Sequence, residues 1–356
     1  VDMTTGCELL AKALVDNGID TMYFLMGGPM HETESALDKL GVRMINVRHE
    51  QAAAMMAQAH SRVLQRPAVC MASGGPGTLN MNSGLANALI DGVPMVALGG
   101  SSPLEKYGRG AFQEIDQLAI MKPVTKWAQR VYEAKRIPEL VDNAFRHAMS
   151  GKPGPVYLDL PADIIHEEVA DEDLKKIVRR AAAVRSRPSG DPRLVGEALQ
   201  ALARAERPVI IFGNGALWSQ AGEQLKAWVE ATGLPFYAAP QARGCIAEDH
   251  EYSYMAARSF AFKNADLVMI VGTRLNYGLS WGRGSRFAAN SVFVHVDVDP
   301  AEIDSDQRSN IGIVGDAGAV LDQMKAALPK EVRPERYAAW RAQLKKDDAI
   351  KSGKLD

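Results

Sequence analysis

The chain has 356 residues, of which 47% are hydrophobic, so it can bury a large core and is not a disordered protein. Its 41 Lys and Arg residues and 43 Asp and Glu residues leave a net charge of −2, which argues against a general nucleic-acid-binding protein. We expect neither a membrane helix nor a signal peptide. Three scattered cysteines without metal-ligand spacing predict buried thiols in a cytoplasmic protein: Cys7, Cys70 and Cys245.

The predicted secondary-structure elements alternate between strand and helix along the chain. In the first half, apolar runs bounded by glycine and proline predict strands over residues 21–26, 43–47, 68–72 and 94–98. Apolar residues at helical spacing predict helices over residues 8–17, 50–64 and 78–90. This alternation predicts an α/β fold with a parallel sheet covered on both faces.

The composition changes after residue 167. A charged run, a small-residue run and two prolines fill residues 168–192, which we interpret as a linker between domains over residues 1–167 and 193–330. The second domain repeats the alternation, with predicted strands over residues 208–212, 267–271 and 292–298 and predicted helices over residues 218–232 and 317–328. Each domain is therefore predicted to be a doubly wound, mainly parallel open sheet.

An Arg-His-Glu triplet fills residues 48–50, between a predicted strand and an alanine-rich helix. A carboxylate there can simply favour the positive end of the helix dipole. The next residues, 52–57, are small or flexible and apolar, so Glu50 can instead face an apolar pocket, which favours a protonated carboxyl. Such a carboxyl is suited to share its proton with a ring nitrogen.

The ordered motifs over residues 3–165 resemble the pyrimidine-binding domain of thiamine-diphosphate enzymes. The resemblance rests on the triplet and its helix, the loop over residues 24–29, the Ser-Gly-Gly-Pro-Gly turn over residues 73–77 and the strand motif over residues 154–161. It implies that Glu50 hydrogen-bonds N1′ of the aminopyrimidine and helps to remove the proton from C2 of the thiazolium. It also implies cofactor contacts for Gly28, Pro29, Ser73, Gly74, Gly77 and Asn80.

The loop over residues 108–117 has two readings. Taken alone, it is a flexible loop that leads into a helix, with Glu114 and Asp116 in the first turn. In the family this stretch lies over the reactive carbon of the cofactor. There, Phe112 and Gln113 resemble the 2-hydroxyacyl-CoA lyases, whereas the oxalyl-CoA decarboxylases have Tyr-Glu. The resemblance makes both residues catalytic, and because neither side chain transfers a proton at neutral pH, it counts against a decarboxylase.

The second domain has candidate nucleotide-binding residues after its predicted strands. A glycine turn over residues 213–215 fits a phosphate-binding turn, but Trp218 replaces the third glycine of a dinucleotide fingerprint, so a structural turn fits equally well. The remaining candidates are expected at one carboxyl edge, where open α/β sheets bind ligands. The full candidate set is Gly213, Asn214, Gly215, Arg274, Asp297 and Asp316.

The second domain also resembles the middle domain of the oxalyl-CoA decarboxylase and 2-hydroxyacyl-CoA lyase branch. The match extends to about residue 330. It implies that this domain binds ADP and part of coenzyme A, whereas the acetolactate synthase branch binds FAD in the same place.

The family anchors the cofactor diphosphate and Mg²⁺ with Gly-Asp-Gly or Gly-Asp-Ser, followed by asparagine. Here Gly-Asp occurs at residues 190–191 and 315–316, neither in the required context. We interpret residues 331–356 as a linker toward such a domain, since residues 337–356 resemble the approach to it and then stop. We therefore predict no metal ligands in this chain, and a diphosphate-binding domain elsewhere on the same or a separate chain.

Together these resemblances imply a carbon–carbon lyase that reversibly cleaves 2-hydroxyacyl-CoA to an aldehyde or ketone and formyl-CoA. Three alternatives stay open: an oxalyl-CoA decarboxylase, an acetolactate synthase-like enzyme and a non-catalytic nucleotide-binding subunit. The family also implies a homodimer or homotetramer with the active site between subunits. Partners of other kinds, nucleic acid and membrane, are not expected.

Overall fold

The computed structural model describes residues 3–174, 186–303 and 309–353. The chain divides into two compact units, Val1–Arg185 (unit 1) and Ser186–Asp356 (unit 2). Within the described ranges, none of the helices combines the length and the apolar character needed to span a membrane.

Unit 1 is built on a six-stranded sheet. The described strands of unit 1 are β1 (Met3–Thr5), β2 (Thr21–Phe24), β3 (Arg43–Asn46), β4 (Ala68–Ala72), β5 (Met95–Ser101), β6 (Trp127–Arg130), β7 (Pro155–Pro161) and β8 (Glu168–Ala170). Strands β1 and β8 form a separate pair outside the six-stranded sheet. The helices of this unit are α1 (Gly6–Asp16), α2 (His31–Lys39), α3 (Glu50–Leu64), α4 (Pro76–Asn80), α5 (Asn82–Asp91), α6 (Gln117–Met121), α7 (Ile137–Met149), α8 (Ala162–Ile165) and α9 (Asp171–Leu174). The sheet order is β3-β2-β4-β5-β7-β6, and every neighbouring pair is parallel.

The central strands of unit 1 are buried throughout. Every residue of β4, β5 and β7 is buried, which agrees with the continuous apolar runs that parallel strands covered on both faces require. Helix α1 begins with a capping box in which the Thr5 hydroxyl accepts from the Glu8 amide and the Glu8 carboxylate accepts from the Thr5 amide. The buried strands position the loops that follow them at the sheet edge.

The strand order of unit 1 creates a crevice at its carboxyl edge. The chain passes from β2 to β3 on one side, and from β4 to β5 on the other, so its direction reverses between the neighbouring strands β2 and β4. Loops at such a switch point are where open α/β sheets bind ligands. The two loops touch, because a Cβ built on Gly27 would lie 2.7 Å from Ser73 Cβ.

Unit 2 contains a five-stranded parallel sheet of order β10-β9-β11-β12-β13. Its strands are β9 (Pro208–Phe212), β10 (Phe236–Ala238), β11 (Leu267–Val271), β12 (Val292–Asp297) and β13 (Ile311–Val314). Its helices are α10 (Pro192–Arg204), α11 (Asn214–Trp218), α12 (Gly222–Thr232), α13 (Arg258–Asn264), α14 (Ala317–Ala326) and α15 (Ala338–Ser352). The predicted fold class, parallel open sheets flanked by helices, is confirmed.

Two predicted helices are each divided in the structure. The helix expected over residues 78–90 is α4 followed by α5, because the chain tightens at Met81, whose amide donates to Thr78 O. The helix expected over residues 218–232 is α11 followed by α12, because Gln220 adopts a left-handed φ of +53°. In both places a short helix directly follows a glycine turn.

Both segments interpreted as linkers contain structure that belongs to a unit. Within residues 168–192, β8 pairs antiparallel with β1, so the beginning of this segment extends unit 1. Residues 175–185 lie outside the described residues. In the predicted tail, Tyr337 and Trp340 are buried and donate to the carbonyls of Leu202 and Pro208. These two residues of the tail therefore belong to the core of unit 2, while its role as a linker stays a prediction.

Candidate active site

Glu50 is the first residue of α3, at the carboxyl edge of the unit 1 sheet. The preceding residue, His49, caps the helix by accepting from the Gln51 amide at its Nδ1, 3.2 Å away. The Glu50 side chain therefore does not serve as the cap, and it is 6% exposed. A carboxyl group so little exposed requires polar partners.

Helix α4 supplies the partner of Glu50. Asn80 Nδ2 donates to Glu50 Oε2 over 2.9 Å. On the other side of the carboxyl, a Cβ built on Gly77 would lie 3.1 Å from Glu50 Oε1 and 2.5 Å from Ser73 Oγ. The missing side chain at Gly77 thus lets the helix backbone approach both the carboxyl and Ser73 closely. The structure brings four predicted residues together here, namely Glu50, Ser73, Gly77 and Asn80.

The remaining predicted cofactor residues line the same edge. Pro29 lies against β5, because a Cβ on Gly100 would be 2.6 Å from Pro29 Cδ. A Cβ on Gly74 would be 3.2 Å from the Gly100 carbonyl, whereas one on Gly28 would meet nothing within 4 Å. Gly74 therefore packs closely on the β5 backbone, and Gly28 borders open space. The assigned cofactor contacts stay predictions.

Phe112 and Gln113 lie in the loop before α6. Gln113 has a left-handed φ of +55°, which is unusual for a residue with a side chain. Its carbonyl oxygen would be 2.3 Å from a Cβ on Gly75, so its backbone lies directly on the glycine turn. Phe112 is 85% exposed. The structure thus places Gln113 beside the pocket and leaves Phe112 facing solvent.

The two acidic residues of this loop have structural roles. The Glu114 carboxylate accepts from the amides of Gly108 and Ala111, and these bonds lower the pKa of Glu114. The Asp116 side chain caps α6 by accepting from the Ala119 amide. Glu114 therefore closes the glycine-rich loop, and Asp116 starts the helix.

Sequence reasoning missed Gln117, which is 1% exposed. Its Oε1 accepts from the Gly75 amide over 2.8 Å. Its Nε2 lies 2.8 Å from Gly100 O and 2.7 Å from both Tyr157 Oη and Asp159 Oδ1. The available signal was Asp159, a charged residue within an apolar strand, which requires a buried partner.

The buried carboxylate of Asp159 is held by several groups besides Gln117. The Arg130 guanidinium forms an ion pair with Asp159 Oδ2, and Tyr157 Oη donates to Oδ1 over 3.0 Å. Burial, together with the Asp159 charge, raises the pKa of Tyr157, so this hydroxyl stays protonated. Arg130 also lies 4.8 Å from the centre of the Tyr107 ring.

In unit 2 the glycine turn after β9 is packed against backbone. A Cβ on Gly213 would lie 2.3 Å from Thr273 Cβ, and one on Gly215 would lie 2.7 Å from Gly272 Cα. The Gly215 amide also donates to Gly272 O over 2.7 Å. The close approach of two chain segments accounts for both glycines. Asn214 is the first residue of the five-residue helix α11.

The charged candidates of unit 2 follow three neighbouring strands. Arg274 comes after β11, Asp297 ends β12 and Asp316 comes after β13, so all three lie at the carboxyl edge. Arg274 Nε is 3.8 Å from Glu302 Oε1. Asp297 accepts from the Asp299 amide, and Asp316 caps α14 while accepting from Ser219 Oγ.

One group of potential metal ligands occurs among the described residues. Ligand atoms of Cys7, Glu32 and His166 lie within 4.8 Å of one another. Glu32 and His166 are exposed and 3.8 Å apart, a separation typical of a surface ion pair. The absence of metal ligands therefore stays a prediction.

Comparison with known families supports the reading of both units. Residues 4–120 match the family model for the thiamine pyrophosphate enzyme N-terminal TPP-binding domain. Residues 195–324 match the model for the central domain of the same enzymes. The two matched ranges contain the Glu50 pocket and the glycine turn of unit 2, respectively.

Individual relatives cover nearly the whole chain. It is 38% identical to the oxalyl-CoA decarboxylase of Escherichia coli (strain K12), over 92% of this chain and 58% of that protein. It is 34% identical to the 2-hydroxyacyl-CoA lyase of Arabidopsis thaliana, over 93% of this chain and 58% of that protein. A probable acetolactate synthase large subunit of Methanococcus aeolicus is 33% identical, over 90% and 54%. The chain thus spans little more than half the length of these relatives. It belongs to the thiamine pyrophosphate enzyme family, of which it carries the N-terminal and central domains.

Proposed function

We propose that this chain provides the pyrimidine-binding and nucleotide-binding parts of a thiamine-diphosphate-dependent 2-hydroxyacyl-CoA lyase. The observation that carries the proposal is the buried Glu50 carboxyl, held by Asn80 and closely approached by Gly77. The complete enzyme consists of this chain and a diphosphate-binding domain, on the same or a separate polypeptide, with the Mg²⁺ ligands on that domain.

Within the pocket, Glu50 holds a proton at the edge of the cofactor's pyrimidine ring. Asn80 fixes Oε2 of the carboxyl by its hydrogen bond, and in our proposal the other oxygen, Oε1, meets the ring nitrogen. Burial excludes water, which strengthens the hydrogen bond between carboxyl and ring. When bound, thiamine diphosphate supplies a thiazolium carbon that accepts electrons as a carbon–carbon bond breaks.

Gln113 supports a lyase rather than a decarboxylase. Its backbone lies on the Gly75 turn, so its side chain starts at the rim of the pocket. A neutral amide donates and accepts hydrogen bonds but does not transfer protons. In our proposal it binds the 2-hydroxyl group or the carbonyl product, and Phe112 covers the acyl group.

Unit 2 is proposed to bind the nucleotide part of coenzyme A, or ADP. The support is the position of Arg274, Asp297 and Asp316 along one carboxyl edge. An arginine at this edge can pair with phosphate, and an aspartate can accept from ribose hydroxyls.

Self-association into a dimer or tetramer is also proposed. Helix α3 exposes four apolar side chains, a feature typical of interaction surfaces. They are Met55, Met56, Val63 and Leu64. Light scattering on the purified complete enzyme would show two or four copies if this is correct, and a monomer would contradict it.

A second candidate, oxalyl-CoA decarboxylase, is favoured by the 38% identity to an enzyme of that name. Assaying the complete enzyme with both acyl-CoA substrates separates the two. We expect an aldehyde or ketone plus formyl-CoA from 2-hydroxyacyl-CoA. Carbon dioxide and formyl-CoA from oxalyl-CoA, without turnover of 2-hydroxyacyl-CoA, would overturn the proposal.

A flavin spectrum in the purified protein would instead indicate an acetolactate synthase-like enzyme. Failure to turn over any of these substrates would indicate a non-catalytic subunit.

A further inference from the structure

We propose that Gln117, held by Asp159, is a positioning residue that fixes the Gly75 turn and thereby aligns Glu50 and Gln113. The inference rests on the proposed function for its catalytic readout. Gln117 and Asp159 are 1% and 0% exposed, so both polar side chains are removed from solvent and depend on their partners.

The Asp159 end of this network is fixed to the sheet. Asp159 lies on β7 and is bound by Arg130 on β6 and by Tyr157 on its own strand. The Gly100 carbonyl on β5 accepts from the same Gln117 amide. Three neighbouring strands thus determine where the Gln117 side chain lies.

The other end of Gln117 holds a backbone that does not adopt its shape readily. Gly75 has φ +56° and ψ −117°, a conformation that L side chains rarely adopt. Because Gly75 precedes the first turn of α4, its amide has no acceptor within the helix, and it donates to Gln117 Oε1 instead. One hydrogen bond therefore connects the sheet to the turn.

Both sides of the pocket depend on that turn. Helix α4 starts at the turn and carries Gly77 and Asn80, which contact the two oxygens of Glu50. The carbonyl of Gln113, a residue with a left-handed φ, also packs on Gly75. A displacement of Gly75 would therefore move Asn80 and Gln113 together, although Gln117 itself hydrogen-bonds Gly75, Gly100, Tyr157 and Asp159 rather than Glu50.

Only an amide fits the position in full, because it must accept from the Gly75 amide and donate to a carboxylate and a carbonyl. Gln117→Met keeps the length and removes both functions. Gln117→Glu keeps the acceptor but, when ionised, places a second carboxylate beside Asp159. The charged or titratable groups facing it are Asp159, Tyr157 and Arg130.

The test uses the complete enzyme loaded with thiamine diphosphate and measures hydrogen–deuterium exchange at C2 of the thiazolium, together with kcat and KM for 2-hydroxyacyl-CoA. For Gln117→Met we expect exchange and kcat to fall together by about tenfold or more, while KM changes less than about twofold. The matched control is Gln58→Met, another buried glutamine, which accepts from Asn87 on α5. We expect it to leave the exchange rate within about twofold of wild type.

Gln117→Glu keeps the test decisive if the methionine variant does not fold. Its exchange rate, divided by that of wild type at each pH, should rise as pH falls, since the protonated carboxyl restores an acceptor and one donor. Wild-type exchange at every pH in either folded variant would overturn the inference. Exchange that depends on Gln117, in an enzyme that does not cleave 2-hydroxyacyl-CoA, would support the inference and reject the proposed lyase.

Discussion

The two units each have a glycine turn that follows a parallel strand and starts a five-residue helix. In unit 1 the turn carries α4, whose Asn80 and Gly77 contact a buried carboxyl. In unit 2 the turn carries α11 and packs against the backbone of Gly272. The sequence patterns are alike, but the Gly75 amide donates to a buried side chain, Gln117, whereas the Gly215 amide donates to the backbone of Gly272. A glycine turn therefore indicates a functional site only together with the polar groups around it.

The largest expected effect breaks the network of unit 1. Asp159→Ala leaves Arg130 buried without its carboxylate, so we expect the free energy of unfolding to fall by about 3–5 kcal/mol in urea titrations. Asp20→Ala is the control, since Asp20 pairs with Arg66 at the surface. Its loss should stay below about 1 kcal/mol. Equal losses in the two variants would contradict the importance of the buried pair.

The next effect concerns the close approach in unit 2. Gly215→Ala places a methyl group 2.7 Å from Gly272 Cα and should destabilise the unit by about 1–3 kcal/mol in thermal or urea unfolding. Gly196→Ala, in helix α10 with nothing within 4 Å of the added Cβ, should instead stabilise it by up to about 1 kcal/mol. If the first variant were as stable as the second, the packing role of this turn would be wrong.

A smaller effect separates a helix cap from a ligand contact at Asp316. Asp316→Ala removes the acceptor for the Ala319 amide and for Ser219 Oγ and should cost about 1–2 kcal/mol, while Asp316→Asn, which keeps an acceptor oxygen, should recover most of it. Calorimetry with ADP on the same variants measures the proposed nucleotide contact. A stability change below about 0.5 kcal/mol in the alanine variant would contradict the cap.

The smallest effect compares thiols. Burial raises the pKa of Cys70 to about 12, and it also raises the pKa of Cys245, which is only half-buried. Iodoacetamide reacts with the thiolate, so at about pH 8 we expect mass spectrometry to find Cys245 modified before Cys70. Faster labelling of Cys70 would show that β4 opens to solvent.

Much of the fold could be predicted because buried parallel strands are continuous apolar runs. The predicted bounds of β4, β9, β11 and α3 coincide with those observed. The burial of Glu50 could be predicted because this carboxyl opens an alanine-rich helix. Each of these patterns can be recognised within one short segment of the sequence.

Gln117 could not be predicted in this way. It follows Glu114 and Asp116, so its segment has the polar character of an exposed loop. Its burial depends on Gly75 and Asp159, which are 42 residues away on either side. The exposure of Phe112 could not be predicted either, because no local pattern distinguishes a buried aromatic residue from an exposed one in a loop.

Glu50 is proposed to activate the cofactor, and C2 exchange in Glu50→Gln tests this role most directly. The amide keeps the shape and a hydrogen bond but cannot share a proton, so exchange in the loaded complete enzyme should fall by about a hundredfold or more. Glu139→Gln, at an exposed position of α7, is the matched control and should behave as wild type. Wild-type exchange in folded, cofactor-bound Glu50→Gln would contradict the account.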